Sequence, residues 1–291
     1  MKRLLSSLYK YIPFKQQAFL ILKKIWSPPH NIYQHLHFKG IINVKVDESH
    51  SFKMKHYGFE LENEIFWKGL QNGWEKISIN LWLKLIKNAN VIIDIGANTG
   101  IYALLAKCFK PNATVFAFEP LPWIADKLAE NCALNNYDIK IYESAVSDYD
   151  GKAKVYVEKA AAHVYSVTVN KNMLENNAGI EEEIKTITMQ TVIEENHLID
   201  IDLMKIDVET HEVEVLKGMG NYLETMKPTM LIEILNDEVG GGVQQLLDGK
   251  GYLYFNIDEK TGIRKVDRIT KSDYYNYLVC STEVAKQLQL L

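Results

Sequence analysis

From Val91 to the end of the chain, short apolar segments alternate with longer amphipathic ones. The apolar segments have the length of strands, and the amphipathic ones repeat apolar residues at helical spacing. Strands are expected at 91–94, 114–118, 139–143, 203–207, 229–234, 252–256 and 276–281, and helices at about 100–109, 121–135, 211–223 and 240–249. This alternation predicts an α/β fold, a doubly wound parallel sheet with helices on both faces.

Two regions depart from the alternation. Residues 151–190 contain the segments "KAKVYV" and "IKTITMQ" around a polar loop, which indicates inserted strands. Residues 1–80 begin with a basic, helical arm and continue with a period-2 hairpin pattern at 36–59 and further helices. We therefore expect a main domain over 81–291 that carries the insertion, preceded by a helical and hairpin extension over 1–80.

The first predicted strand runs into a turn of small residues, "VIIDIGANTG". In a doubly wound sheet such a turn lies under a helix amino terminus, where free backbone N–H groups bind ligands. A dinucleotide turn would need three glycines, and their positions hold Gly96, Asn98 and Ile101. The Gly-Lys-Ser/Thr of a phosphate-binding loop is also absent. The turn therefore indicates a ligand without a pyrophosphate.

Acidic and small residues end the next two predicted strands. The strand "TVFAFE" ends in Glu119, which Pro120 follows, and an acid at this position can accept both hydroxyls of a ribose. The strand "IKIYE" is followed by Ser144 and Ala145, where an adenine edge would lie. A ligand with an adenosine but no pyrophosphate is consistent with S-adenosylmethionine.

Five segments in this order resemble the FkbM family of S-adenosylmethionine-dependent methyltransferases. They are "DIGANTGIYALLA", "FAFEPLP", "NCALNN", "ESAVSDYDG" and "LMKIDVETHEVEVLKG", within about residues 90 to 236. The resemblance implies a class I methyltransferase (Rossmann-like) fold with a seven-stranded sheet in the order 3-2-1-4-5-7-6. It also implies methyl transfer to oxygen, often to a hydroxyl of a sugar, a glycolipid or a natural product.

The resemblance also implies cofactor contacts along these segments. The methionine end would lie on Asp94, Gly96, Ala97, Asn98 and Gly100, the ribose on Glu119 and Pro120, and the adenine beside Ser144 and Ala145. The chain departs from the family at two positions near the expected acceptor side. Thr210 stands where the family usually has glycine after "DVE", and Gln190 stands where an Asp is common.

Candidate catalytic residues cluster after the fourth strand. Methyl transfer from a sulfonium needs two positioned groups and removal of the acceptor proton. Asp207, Glu209 and His211 could act as the base, while Asp207 could also border the cofactor or cap the next helix. Glu233, an acid within the apolar segment "MLIEIL", is the third carboxylate expected here. Together Asp207, Glu209 and Glu233 could hold a divalent metal, although no metal is assigned.

Residues outside this cluster could contact the acceptor or the cofactor. Sugar rings stack on aromatic side chains, so Trp67 or Trp74 could be a platform, although most aromatics fill cores. Glu75 could reach the amino group of the cofactor. In the insertion, His163, Tyr165 and Ser166 could cover the acceptor as a lid.

The charge of the chain is strongly uneven. The net charge is −4, yet residues 1–46 hold eight of the 33 basic residues and none of the 37 acidic ones, so the remainder has an excess of 12 acids. The basic arm, residues 1–27, carries Leu4, Leu5, Leu8, Ile12, Phe19, Leu22 and Trp26 at helical spacing. We expect it either to attach to an anionic membrane or to pack on the body or on a second subunit.

Composition limits the remaining alternatives. The sequence shows no secretory signal and no spanning segment, and three unpaired-looking cysteines indicate a reduced, cytoplasmic setting. Nucleic acid is not an expected partner, because the body is acidic. The function expected is O-methylation of a glycan or glycolipid hydroxyl, with a small natural product or an N-acceptor as the alternative. A fold that binds without turnover is disfavoured by the acids at 94, 119 and 207.

Overall fold

The computed structural model describes residues 14–73, 75–161, 164–168 and 180–291, and the side chains of 158–161 and 164–168 are outside that description. The described part therefore leaves out His163, Trp74 and the side chains of Tyr165 and Ser166. The lid formed by His163, Tyr165 and Ser166 stays a prediction, and so does the platform role of Trp74.

The extension begins with helices and a two-stranded hairpin. Its elements are α1 (Lys15–Ile25), α2 (His30–Tyr33), β1 (Gly40–Lys45), β2 (Ser51–His56), α3 (Glu60–Lys68), a short 3₁₀ turn (Leu70–Asn72) and α4 (Lys76–Ile86). Helix α4 spans the boundary expected between residues 80 and 81. Buried side chains of the extension and of the sheet belong to one continuous core, which joins the two predicted units.

The main sheet forms from the alternating segments. Its elements are β3 (Val91–Ile95), α5 (Ile101–Phe109), β4 (Thr114–Phe118), α6 (Pro122–Asn135), β5 (Ile139–Tyr142), the insertion that follows, β10 (Leu203–Ile206), α8 (Glu212–Lys217), α9 (Tyr222–Thr225), β11 (Thr229–Glu233), α10 (Asp237–Leu247), β12 (Leu253–Asp258), β13 (Gly262–Val266), β14 (Asn276–Cys280) and α11 (Thr282–Gln287). The strand order β5-β4-β3-β10-β11-β14-β12 is the expected order.

Three details of the sheet differ from the prediction. Strand β14 runs antiparallel to β11 and to β12, so the sheet is mixed and not wholly parallel. An eighth strand, β13, pairs antiparallel with β12 at the edge, because the chain turns back at Gly262 instead of ending the sheet. The helix expected at 211–223 is two short helices, interrupted around Gly220, whose φ is +54°. Strands β3, β4, β5, β10 and β11 run parallel, so their carboxyl ends lie at one edge.

The insertion forms a second sheet. Its strands are β6 (Ala145–Val146), β7 (Gly151–Ala161), β8 (Val164–Thr168) and β9 (Ile180–Ile187), in the order β6-β9-β7-β8, followed by α7 (Met189–Glu195). The segment "IKTITMQ" is therefore a strand that ends at Ile187 and then starts a helix, which Thr188 caps by accepting from the Thr191 N–H. Gln190 is exposed on that helix and bonds to Glu194, away from the main sheet edge.

The amino-terminal helix packs on the body by part of its apolar stripe, which is one of the two outcomes expected for it. Phe19 is buried, with its ring 5.5 Å from the Trp67 ring, and Leu22 packs against the same core. Trp67 is itself 4% exposed, so the prediction that it is an open sugar platform is wrong. In the described ranges, every helix is too short or too polar to span a bilayer.

Candidate functional site

The turn after β3 is held against the neighbouring strand β10. Gly96 has a φ of +80°, and a Cβ on it would lie 1.8 Å from the backbone oxygen of Asp207. A side chain at Gly96 is therefore excluded by the protein itself, before any ligand is considered.

Glu119 ties the turn to the next loop. Its buried carboxylate accepts the Asn98 N–H at 3.1 Å through one oxygen and the Leu121 N–H at 3.0 Å through the other. Burial raises the pKa of this carboxyl group to about 7. Each carboxylate oxygen has a second lone pair, so Glu119 can still accept a ligand hydroxyl.

A cavity of about 340 Å³ opens at this edge of the sheet, and we call it the carboxyl-end cavity. Its volume is in the range of small-molecule sites. Twelve of the predicted site residues line it: Glu75, Gly96, Ala97, Asn98, Glu119, Pro120, Ser144, Ala145, Asp207, Glu209, His211 and Glu233. The structure thus brings together the cofactor and catalytic residues predicted from separate segments.

Two predicted cofactor residues do not line the cavity. Asp94 is buried behind it, where its carboxylate accepts the Ala103 N–H of α5 at 2.9 Å and burial raises its pKa to about 7. Gly100 faces α6, and a Cβ there would lie 2.3 Å from the side chain of Leu128. Both residues therefore stabilise the turn from behind, and neither lines the cavity.

A buried lysine beneath the cavity was missed by the sequence analysis. Lys205, in β10, is 1% exposed, and its ammonium donates to Asp207 at 3.1 Å. Burial alone would lower its pKa, but the carboxylates of Asp207, Glu75 and Glu233 raise it above the ordinary value. The sequence pattern that identified Glu233 as a candidate, a charged residue inside an apolar strand, also applies to Lys205 in "LMKI".

The acids around Lys205 differ in protonation. Burial, the charge of Asp207 and a hydrogen bond to Asp207 raise the pKa of Glu233 to about 10, so Glu233 is protonated at neutral pH. A protonated carboxyl donates to Asp207 and has no proton-accepting role. On the other side, burial raises the pKa of Glu75, which accepts from Tyr102 at 2.8 Å and from Asn276 at 2.6 Å.

Glu209 has the properties of a base. Burial, with a contribution from the Asp207 charge, raises its pKa to about 7. Its backbone has a φ of 54°, and Thr210 follows with a φ of 80°. A left-handed conformation is strained for a β-branched residue, and strain of this kind is concentrated at functional sites. The positive φ at position 210 also explains why glycine is better suited there than threonine.

His211 is less suited to that role. Its Nε2 lies 3.0 Å from the Ser147 hydroxyl, and its Nδ1 lies 3.5 Å from a Glu214 oxygen. Both ring nitrogens thus have protein partners, and burial lowers the pKa of the imidazole. The expectation that Asp207 caps the next helix is wrong, since Asp207 bonds to Lys205 and α8 has no side-chain cap at its start.

The three carboxylates considered for a metal do not form a ligand set. Among the described residues, no three His, Cys, Asp or Glu side chains are grouped so that they could hold a metal ion. The Lys205 ammonium, and not a metal ion, is the cation that pairs with Asp207. The metal role suggested for Asp207, Glu209 and Glu233 therefore has no geometric support.

Comparison with known proteins identifies the family of the chain. The family model of the methyltransferase FkbM domain matches residues 94–254, more than half of the chain. The hexuronic acid methyltransferase AglP of Haloferax volcanii is 30% identical over 172 residues, which cover 59% of this chain and 66% of that protein. The 31-O-demethyl-FK506 methyltransferase FkbM of Streptomyces tacrolimicus is 28% identical over 193 residues, covering 57% and 74%. The methyltransferase sdnD of Sordaria araneosa is 27% identical over 188 residues, covering 55% and 73%.

Proposed function

The chain belongs to the FkbM methyltransferase family, and from this premise we propose that it transfers a methyl group from S-adenosylmethionine to a hydroxyl group of a glycan. The observation that carries the proposal is the acidic wall of the carboxyl-end cavity. Glu75, Glu119, Asp207 and Glu209 line it together, next to the protonated Glu233. Such a wall favours a cationic ligand, and the sulfonium and ammonium groups of this cofactor are cations.

The described residues fit the cofactor at several points. The turn at Gly96 and Asn98 keeps the backbone accessible, and Glu119 retains lone pairs for ribose hydroxyls. Ser144 and Ala145 line the same cavity on the side expected for the adenine. When bound, S-adenosylmethionine supplies an electrophilic methyl group on a positively charged sulfur.

The residues of the chain would handle the acceptor and its proton. Burial raises the pKa of Glu209 to about 7, close to neutral pH, which suits a general base. Its carboxylate would take the proton of the acceptor hydroxyl while the oxygen bonds to the methyl carbon and the carbon–sulfur bond breaks. Asp207, held by Lys205, would keep a fixed negative charge beside the reacting centre.

A glycan acceptor is supported by the relative AglP, whose name describes methylation of a hexuronic acid. The FkbM relative is named for O-methylation of a natural product, which makes a small-molecule acceptor the alternative. The test is to incubate the protein with labelled cofactor and with oligosaccharides, natural-product alcohols and amines. Mass spectrometry should find one added methyl group on the oligosaccharides. Labelling confined to alcohols or amines of the other classes would overturn the glycan assignment.

Cofactor binding has a separate test. Glu119→Gln removes the charge and keeps one of the two oxygens that accept from the Asn98 and Leu121 N–H groups, so circular dichroism should first confirm that the variant is folded. We expect the affinity for S-adenosylmethionine, measured by calorimetry, to fall about tenfold or more, because charge-assisted hydrogen bonds are lost. Glu195→Gln, an exposed acid on α7, is the matched control and should bind normally. Equal affinity in both variants would contradict the placement of the ribose.

The amino-terminal helix supports a second proposal, peripheral attachment to the cytoplasmic face of an anionic membrane. Phe14, Ile21 and Ile25 are 75%, 64% and 79% exposed, and their spacing puts them on one helix face. This face is distinct from the Phe19 face that packs on the body. Each nearby lysine or arginine would contribute about 1 kcal/mol at an anionic leaflet.

Vesicle binding tests this attachment. The double variant Ile21→Ser/Ile25→Ser should lose co-sedimentation with phosphatidylserine-containing vesicles at low salt, because the apolar face no longer enters the headgroup boundary. Ile199→Ser alters a residue that is 96% exposed elsewhere and serves as the control. If the double variant sediments as completely as the control, or the wild type stays in solution, the helix is not a membrane anchor.

A further inference from the structure

A second cavity lies beside the carboxyl-end cavity, on the same side of the inserted sheet. We call it the aromatic cavity; its volume is about 330 Å³, and its lining includes Tyr57, Phe59 and Trp123 together with Lys39 and Lys127. None of these residues has a role in the proposed transfer step. The sequence analysis assigned none of them to the acceptor.

The two cavities are neighbours along one sheet face. On β7, Val155 lines the carboxyl-end cavity and Val157 the aromatic cavity, and side chains two residues apart on a strand share a face. On β9, Ile184 lines the first cavity and Glu182 the second. Two strand residues span about 7 Å, so these lining residues of the two cavities lie about one sugar-ring width apart.

Helix α6 also lines both cavities. Ile124 lines the carboxyl-end cavity, and the preceding residue, Trp123, lines the aromatic cavity. A polymeric acceptor whose reacting unit occupies the first cavity would therefore pass its neighbouring unit into the second.

The aromatic cavity combines ring faces with a cation. The Lys127 ammonium lies 4.8 Å from the centre of the Trp123 ring, 5.5 Å from that of Tyr57 and 5.9 Å from that of Phe59. Lys127 is anchored by a 2.5 Å bond to the Trp123 carbonyl. Since an ammonium has three donors, it can still donate to a ligand.

The rings are held in place by protein contacts. The Tyr57 hydroxyl donates to Glu130 at 2.6 Å and lies 3.1 Å from the Lys127 carbonyl. A rigid ring loses little conformational entropy when a ligand stacks on it. Ring faces stack on the apolar C–H faces of sugars, and the nearby ammonium groups attract an acidic substituent.

The charged residues that line the aromatic cavity indicate which kind of sugar would bind there. The lining holds two lysines, Lys39 and Lys127, and one acid, Glu182, whereas the chain beyond residue 46 has an excess of acids. Resting on the proposed function, we infer that the aromatic cavity is an acceptor subsite for a carboxylated sugar residue adjacent to the methylated one. The acceptor is accordingly an acidic oligosaccharide of at least two units.

The test compares substrates as well as variants. In Lys39→Gln/Lys127→Gln, the KM for an acidic disaccharide should rise about tenfold or more, because charge-assisted hydrogen bonds are lost. The KM for the carboxyl-reduced disaccharide and for the monosaccharide should not change. Lys53→Gln alters an exposed lysine on the nearby hairpin, outside the aromatic cavity, and is the matched control.

Binding without turnover separates this inference from the proposed function. Calorimetry of the acidic disaccharide alone should show binding to the wild type and weakened binding to the double variant and to Trp123→Leu, which keeps an apolar side chain but removes the ring face. Cofactor affinity should be equal in all of them. Normal disaccharide binding and KM in the double variant would overturn the subsite. Binding that depends on these residues with no methyl transfer would instead overturn the proposed function.

Discussion

Two cavities of similar size lie at opposite ends of the same parallel strands. The carboxyl-end cavity measures about 340 Å³, and an amino-end cavity of about 380 Å³ is lined by the start of β10, the start of β11 and the end of α11. Five acidic residues line the first. The second has Asp202, which accepts the N–H groups of Asn90 and Val91 at 2.7 and 2.9 Å.

The comparison shows that volume does not identify the site. At the amino end, Asp202 is satisfied by two backbone donors and serves the fold. At the carboxyl end, Glu209 has burial without a comparable set of donors, and its pKa is raised to about 7. Ionising a desolvated carboxyl group costs free energy, which other interactions in the fold must offset. Groups of this kind are concentrated at functional sites, so the carboxyl-end cavity is the candidate site.

The largest expected difference between the two ends is in turnover. Glu209→Gln should lower the rate of methyl transfer at saturating cofactor about 10²- to 10⁴-fold, because the general base is lost. Asp202→Asn, at the amino end, should transfer at the wild-type rate. Initial rates with labelled cofactor at saturation measure both. Near-normal turnover in Glu209→Gln would exclude this residue as the base.

The next difference is in stability. Lys205→Met leaves Asp207 and Glu75 without their buried cation, so the free energy of unfolding should fall by about 3–5 kcal/mol. Lys84→Met changes an exposed lysine of the amino-end cavity and should alter it by no more than about 0.5 kcal/mol. Urea denaturation followed by tryptophan fluorescence measures both. Similar losses in the two variants would mean that Lys205 is not the counter-ion.

Glu209→Gln should also stabilise the protein at alkaline pH. The pKa of Glu209 is about 7 in the native state against an ordinary value of 4.5. Between these values the native state holds more protons than the unfolded chain, so this group lowers stability as pH rises from about 4.5 to about 7. The variant lacks this loss and should gain about 1–3 kcal/mol over wild type at pH 8, and little at pH 4. Unfolding curves at both pH values test it; an equal gain at both would rule out the raised pKa.

The smallest effect is expected at Asp202. Asp202→Asn keeps an acceptor oxygen but removes the charge that strengthens the bonds to Asn90 and Val91, so stability should fall by about 1 kcal/mol. Glu195→Gln, which changes an exposed acid on α7, is the control for a general charge effect. If both variants lose the same stability, the bonds from Asp202 do not explain the difference.

The sequence alone determined the sheet and the approximate position of the site. The alternation after Val91 predicts parallel strands, and strand ends carry Glu119, Ser144 and Asp207 to one edge whatever the details of packing. Periodicity and strand-end position are local properties, so they can be read from neighbouring residues. Recognition of the family followed from the same segments.

Only the tertiary structure decided the ionisation and the burial of individual side chains. Lys205 becomes the counter-ion of Asp207, Glu233 keeps its proton, and Trp67 is buried under Phe19 instead of facing a sugar. Gly96 is required by the carbonyl of Asp207, more than a hundred residues later. These outcomes depend on distances between residues far apart in the chain, and desolvation is set by every element that packs around a group, so no local pattern determines them.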